Sequence, residues 1–215
     1  MGGRAGGGAS GGMGSASRQG SLARSLASVE NSIRNASVEH GAIIDENGNI
    51  IWQGSDQRDG SVWIPHDLQK DRIVTHNHPL QGKNKGRDRE DGGGSLSRND
   101  LMLAVRDNAK EFRAVAGNRV YSLKRPAKGW GVDYGDSGRG YMYKGGKLVS
   151  TPSMKKIENA YKIARKNVEY RLDKYVKGSK DRRTAQSRAN SIKWHLVNKE
   201  FAKATGFSYT STKVK

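Results

Sequence analysis

Short apolar runs separated by turn residues begin near residue 38 and predict a series of β-strands. The runs at 42–44 (AII) and 50–52 (IIW) flank Asn47-Gly48, a dipeptide typical of a two-residue hairpin turn. Two further runs, SVWIP at 61–65 and RIVTHNH at 72–78, have the length and β-branched content of strands. The first half of the chain therefore reads as a hairpin followed by two more strands.

The pattern then changes to helical spacing and back to strands. In residues 98–112 (RNDLMLAVRDNAKEF) the apolar positions recur at steps of three and four, which indicates a helix. Residues 113–126 predict a second hairpin that turns at Gly117-Asn118, and the glycine- and tyrosine-rich segment 126–150 predicts a loop with short strands. This order predicts an α+β fold with a mainly antiparallel sheet and flanking helices.

Two long amphipathic helices are predicted in the C-terminal part. Thr151-Pro152 is a typical helix start, and apolar residues follow it at steps of three or four as far as Tyr175. A second apolar face runs through residues 185–201 and ends before Gly206, a residue typical of a helix C-terminus. With a turn at 177–179, these helices predict a C-terminal helical hairpin.

The N-terminal segment 1–28 is rich in Gly and Ser and contains no acidic residue. Such a composition offers little apolar surface to offset the entropy of ordering, so we expect a disordered basic tail, with at most a short helix from Leu22. The expected organisation is therefore a tail at 1–28, a sheet-containing domain at 29–150 and a basic helical region at 151–215.

The net charge of the chain indicates which classes of binding partner to expect. The 215 residues include 39 Lys and Arg against 21 Asp and Glu, a net charge of +18, with mean hydropathy −0.84. This excess favours non-specific nucleic acid or an acidic protein surface as a partner, and a solvated basic face is the alternative. No apolar run has the length of a membrane span, there is no cysteine, and we expect no secretory signal. The predicted nucleic-acid-binding residues are Lys155, Lys156, Lys162, Arg165, Lys166, Arg182, Arg183, Arg188 and Lys193.

Candidate chemistry lies between the fourth predicted strand and the helix after it. His76 and His78 are two positions apart on a strand, so their side chains leave the same face and can share one metal ion, although two surface polar residues would give the same pattern. Ser97 and Asp100 have the spacing of a helix capping box, and Asp100 also has the chemistry of a metal ligand. Two imidazoles and one carboxylate would leave a fourth position of tetrahedral zinc open for water. A catalytic site of this kind also needs a carboxylate to move protons and a donor for the developing oxyanion, and Ser97 offers such a donor.

The motifs SVEHGAIIDENGNIIWQG, THNHP and SLSRND together resemble the JAB/JAMM (MPN-type) metalloprotease domain, in particular its RadC-like and phage-associated branch. The resemblance covers about residues 37–126. It implies that His76, His78 and Asp100 are zinc ligands, that Glu39 is the general acid/base and that Ser97 faces the oxyanion. It further implies a hydrolase acting on a protein or peptide substrate, located in a bacterial cytoplasm or in a virion with phage structural proteins.

One feature departs from the family pattern, and the identity of the general base stays open between two glutamates. Between His78 and Ser97 lie eighteen residues, 79–96, more than the family has there, and the glycines of 81–94 predict a mobile insertion. Glu46 is near Glu39 in sequence and is an alternative base. The competing function is a non-catalytic, nucleic-acid- or particle-associated structural protein of the phage-head type that uses an inactive JAB-like fold.

Overall fold

The computed structural model describes residues 13–56, 61–79, 94–135 and 138–214, which form an α+β fold. Four helices and eight strands lie within these ranges, together with a single 3₁₀ turn at His66–Leu68. In chain order they are α1 Met13–Ile33, β1 Gly41–Ile44, β2 Ile50–Gly54, β3 Ile73–Asn77, α2 Arg98–Arg106, β4 Glu111–Ala116, β5 Arg119–Lys124, β6 Tyr141–Lys144, β7 Lys147–Ser150, α3 Pro152–Gly178, α4 Arg182–Thr205 and β8 Ser208–Lys213.

Six strands form one mixed, mostly antiparallel sheet in the order β2-β1-β3-β4-β5-β8. The one parallel pair is β3 with β4, because helix α2 carries the chain from the end of β3 back to the start of β4. The two predicted hairpins are confirmed as β1–β2 and β4–β5. Strands β6 and β7 form a separate two-stranded hairpin within 126–150.

Two strand assignments differ from the sequence expectation. SVWIP (61–65) does not form a strand of the sheet; it runs into the 3₁₀ turn with Ile64 buried and Trp63 exposed. Strand β8 was not expected, because its sequence SYTSTK carries no apolar alternation. It pairs with β5 along its whole length and so forms one edge of the sheet.

The two faces of the sheet are covered by different helices. On one face Ile43, Val74 and Phe112 join the main core with α2, α3 and α4. On the other face Ala42 and Ile44 pack against Val29 and Ile33 of α1. The alternation of strand side chains thus divides β1 between two apolar layers.

Helix α1 corrects the expectation of a disordered tail for residues 13–28; residues 1–12 lie outside the described ranges. Its C-terminal half is held by polar as well as apolar contacts. The buried Glu30 carboxylate accepts a 3.0 Å hydrogen bond from Arg113 and a 3.2 Å bond from Thr75, both on the sheet. These contacts tie the C-terminal end of α1 to the sheet.

The C-terminal helices form the expected hairpin. Thr151 caps α3 by accepting from the Met154 N–H, and α4 ends at Gly206, whose φ of 73° is in the left-handed region. Ion pairs join the helices at Lys193–Glu169 (2.6 Å) and Arg171–Glu200 (3.0 Å). Buried residues of both helices belong to the same core as the sheet, and β8 extends that sheet.

Candidate metal centre

The end of β3 and the start of α2 bring three ligand-type side chains together. His76 lies on β3, His78 follows that strand, and Asp100 is in the first turn of α2. The His76 Nε2 lies 2.9 Å from His78 Nε2 and 3.5 Å from Asp100 Oδ1, and His78 Nε2 lies 3.5 Å from Asp100 Oδ2. The ligand atoms all lie within 4.8 Å of one another, so the three residues can hold one metal ion.

These distances fit a tetrahedral ion. With metal–ligand bonds of about 2.0–2.1 Å, neighbouring ligand atoms of a tetrahedron lie about 3.3 Å apart. The Nε2–Nε2 separation of 2.9 Å and the separation of 3.5 Å from His76 to Asp100 Oδ1 lie on either side of that value. The 3.5 Å separation from His78 is measured to the other oxygen, Asp100 Oδ2. A tetrahedral ion held by these three ligands would have one further position for water or substrate.

The ring of His78 is oriented by a contact typical of metal-binding histidines. Its Nδ1 lies 2.6 Å from the Gly94 carbonyl oxygen, so Nδ1 carries a hydrogen, and in the neutral ring Nε2 then has the lone pair that a metal would need. Gly94 is required there, because an added Cβ would lie 2.1 Å from the Cβ of Ala116 on β4. The Nδ1 of His76 is buried and has no hydrogen-bond partner among the described residues.

Asp100 is both a capping residue and a candidate ligand. Its Oδ2 accepts from the Ser97 N–H at 2.6 Å, and Ser97 Oγ accepts from the Asp100 N–H at 3.2 Å, which completes the capping box. Burial acts to raise the pKa of Asp100, but His76 and His78 outweigh it and hold the pKa well below its usual range. The two interpretations of the motif are compatible, since the cap fixes the carboxylate against the histidines.

Residues from the C-terminal part support this segment. Asn198 on α4 donates to the Ser95 hydroxyl at 2.9 Å and to the Leu96 carbonyl at 2.8 Å. The Ser95 hydroxyl also lies 2.7 Å from the Tyr209 hydroxyl on β8. Helix α4 and β8 therefore position the residues that lead into Ser97. Sequence reasoning missed these contacts because the partners are more than a hundred positions apart.

Glu39 lies in the same cleft as the three ligands, whereas Glu46 does not. Burial raises the pKa of Glu39 above its ordinary value, and the nearby His76 and His78 act in the opposite direction. Glu46 is exposed in the β1–β2 turn, at the other end of β1. A raised pKa suits a carboxylate that exchanges protons near neutral pH.

Asn77 holds the segment that carries Glu39. Its side-chain oxygen accepts from the His40 N–H at 2.6 Å, and its amide donates to the Val38 carbonyl at 3.1 Å. The side chain is fully buried, and the two bonds fix the backbone on both sides of Glu39. Sequence analysis did not select Asn77; the available signal was a polar residue at the strand position between the two histidines.

The cleft has a volume of about 480 Å³. Most of the predicted insertion lies outside the described residues, which resume at Gly94; that residue is buried against β4. The lining residues are Glu39, Ser61, Val62, Trp63, Ile64, His66, His76, His78, Ser97, Asn99, Asp100, Leu103, Arg106 and Phe112.

The predicted nucleic-acid-binding residues all lie on α3 and α4, away from this cleft. Eight of the nine are exposed, and the exception is Lys193, which is partly buried. Lys193 and Arg165 both pair with Glu169 and lie against the Trp194 ring, so part of their charge is used within the hairpin. No helix within the described residues is long and apolar enough to span a membrane.

Comparisons with protein-family models, with curated proteins and with solved structures gave no match.

Proposed function

We propose that this chain is a zinc-dependent peptidase of the JAB/JAMM type that hydrolyses a peptide or isopeptide bond in a protein. The observation that supports this best is the meeting of His76, His78 and Asp100, with Glu39 in the same cleft. Two imidazole nitrogens and one carboxylate with an open fourth position are the ligand set of catalytic zinc. When bound, zinc would activate water and polarise the scissile carbonyl.

The protein side chains have distinct roles in this proposal. Glu39 takes a proton from the attacking water and gives it to the leaving nitrogen, which its raised pKa favours. Ser97 Oγ accepts from the Asp100 N–H, so its own hydroxyl hydrogen is free to donate to the carbonyl oxygen of the substrate. The capping box and the Gly94 carbonyl hold the ligands in place.

The test combines peptide cleavage by the zinc-loaded protein with a matched pair of glutamate variants. A denatured protein mixture is incubated with the protein, and new termini are identified by mass spectrometry. Glu39→Gln keeps the shape of the side chain but removes its basicity, so cleavage should fall by roughly 10²-fold or more while zinc stays bound. Glu46→Gln, the control outside the cleft, should cleave like the parent. Equal cleavage by Glu39→Gln and the parent would contradict the mechanism.

A second function is favoured by the basic hairpin. We propose that exposed lysines and arginines of α3 and α4 bind nucleic acid through phosphate contacts, in keeping with a net charge of +18. This binding is compatible with a peptidase and is also what the non-catalytic, particle-associated alternative requires. Failure of cleavage together with strong nucleic-acid binding would favour that alternative.

Salt dependence tests the second function. With about four phosphate contacts, the affinity for duplex DNA should fall roughly 100-fold between 50 and 200 mM salt. Changing Lys155, Lys156, Lys162 and Lys166 to Gln should remove most of this dependence. The control changes Lys144 and Lys147, on the β6–β7 hairpin, in the same way and should leave it intact. Affinity that does not vary with salt would contradict phosphate binding.

A further inference from the structure

The cleft continues from the metal centre along one face of α2. Asp100, Leu103 and Arg106 follow one another at three-residue steps and all line it. At 1.5 Å per residue, Arg106 lies about 9 Å along the helix from Asp100. A polar group at this distance would meet a substrate two or three residues away from the bond at the metal, since an extended chain advances about 3.3 Å per residue.

The far end of the cleft is a cluster of His66, Arg106 and Asp107. His66 Nδ1 lies 2.8 Å from Asp107 Oδ2, so Nδ1 donates to the carboxylate. Arg106 approaches the same carboxylate through Nε at 3.3 Å and Nη2 at 3.4 Å. Its Nη1 has no hydrogen bond within the described part of the chain. The Tyr141 ring lies 5.3 Å from the guanidinium carbon and supports it.

The carboxylate of this cluster is buried, whereas its two basic side chains are partly exposed. The Asp107 side chain is 0% exposed, whereas those of His66 and Arg106 are 34% and 27% exposed and line the cleft. Among the described lining residues the carboxylates, Glu39 and Asp100, are both at the metal end. The cleft therefore presents the Arg106 guanidinium at this end, held in place by a carboxylate behind it.

We propose that Arg106, held by Asp107 beside His66, forms a recognition subsite for a carboxylate group of the peptide substrate. The carboxylate is either the free C-terminus or an acidic side chain, two or three residues from the scissile bond. A guanidinium fixed at one edge and free at Nη1 suits this ligand, and the exposed Trp63 and the Leu103 side chain line the cleft beside it. This inference rests on the proposed peptidase function and adds a substrate preference to it.

Calorimetric binding of three tetrapeptide probes to the full chain tests the subsite. One acetylated alanine peptide ends in a free carboxylate, the second ends in an amide, and the third ends in an amide but carries one glutamate. At least one carboxylate peptide should bind about 10-fold more tightly than the neutral amide, the strength expected of one charge-assisted contact. The comparison between the first and third peptides identifies the source of the carboxylate.

Variants assign the effect to Arg106. Arg106→Gln should abolish the preference for carboxylate without changing zinc affinity, and the control Arg98→Gln, on the same helix but outside the cleft, should retain it. If Arg106→Gln does not fold, Arg106→Lys keeps the charge beside Asp107 and should reduce the preference. Equal binding of all three peptides, or no binding, overturns the subsite. If the parent chain does not bind zinc, the proposed peptidase function fails. The preference for carboxylate peptides can still be measured on metal-free protein, so the two failures are distinguishable.

Discussion

Replacing Gly94 by alanine should lower the metal affinity of the centre, although none of the three ligands is substituted. The new Cβ would lie 2.1 Å from the Cβ of Ala116, whereas ordinary contacts begin near 3.4 Å. The two segments must therefore separate by about 1.3 Å. The Gly94 carbonyl, which accepts from His78 Nδ1 at 2.6 Å, belongs to the segment that moves.

The expected magnitude follows from that displacement. If the carbonyl takes up the whole movement, its distance from Nδ1 grows to about 3.9 Å, beyond hydrogen-bond range. Loss of such a contact behind a metal ligand typically lowers metal affinity 10- to 100-fold, or about 1.4–2.7 kcal/mol. The overpacked metal-free protein should also lose about 1–3 kcal/mol of unfolding free energy.

Competition with a chromophoric chelator measures zinc affinity, and urea unfolding measures stability. The double variant Gly94→Ala/Ala116→Gly removes the clashing methyl; the next atom, the Cα of residue 116, is at an ordinary 3.5 Å. It should recover most of the affinity. Gly178→Ala is the matched control, since its added Cβ meets nothing within 4 Å. Unchanged zinc affinity in Gly94→Ala, or no rescue by the second change, would show that the Gly94 carbonyl does not support the metal centre.

Three further predictions concern residues that hold the cleft or helix α1 in place. Asn77→Ala removes the bonds to the backbone on both sides of Glu39 and should cost about 2–3 kcal/mol in urea unfolding and lower turnover, while the zinc content stays at the parental level; unchanged turnover would contradict its positioning role. Ser97→Ala removes an N-cap and should cost about 1 kcal/mol and slow cleavage, again with zinc retained, and an unaltered cleavage rate would exclude the hydroxyl from the reaction. Glu30→Gln leaves Arg113 with Glu111 as its remaining partner and should lower stability by about 2–3 kcal/mol without altering zinc affinity. A stability loss below about 0.5 kcal/mol would show that this buried pair does not fix α1.

Local signals predicted much of the fold. Asn47-Gly48 predicted the β1–β2 hairpin, and Thr151-Pro152 predicted the start of α3. Strand β8 was not predictable, because its polar sequence is held by backbone pairing with β5 instead of by apolar burial. Helix α1 was obscured by Gly/Ser composition, although four apolar residues at steps of three and four marked the face that packs near β1: Leu22, Leu26, Val29 and Ile33.

Part of the candidate site was also predictable from local sequence, and part was not. Strand alternation placed His76 and His78 on one side, and the capping-box spacing placed Asp100 at a helix start. Sequence could not tell which of Glu39 and Glu46 lies in the cleft, because this depends on the direction of β1, which puts them at opposite ends of that strand. Contacts made across long sequence separations, such as those of Gly94 with His78 and of Asn198 with Ser95, leave no local pattern to read.

Zinc stoichiometry tests whether His76, His78 and Asp100 form a metal centre. Purified chain is loaded with zinc, dialysed and analysed for metal per chain, beside His76→Ala, Asp100→Asn and the control His195→Ala, which changes a histidine on α4 outside the cleft. We expect about one zinc per chain for the parent and the control, and well below that for both ligand variants. A parent without zinc, or ligand variants that retain it fully, would contradict the assignment of His76, His78 and Asp100 as a metal centre.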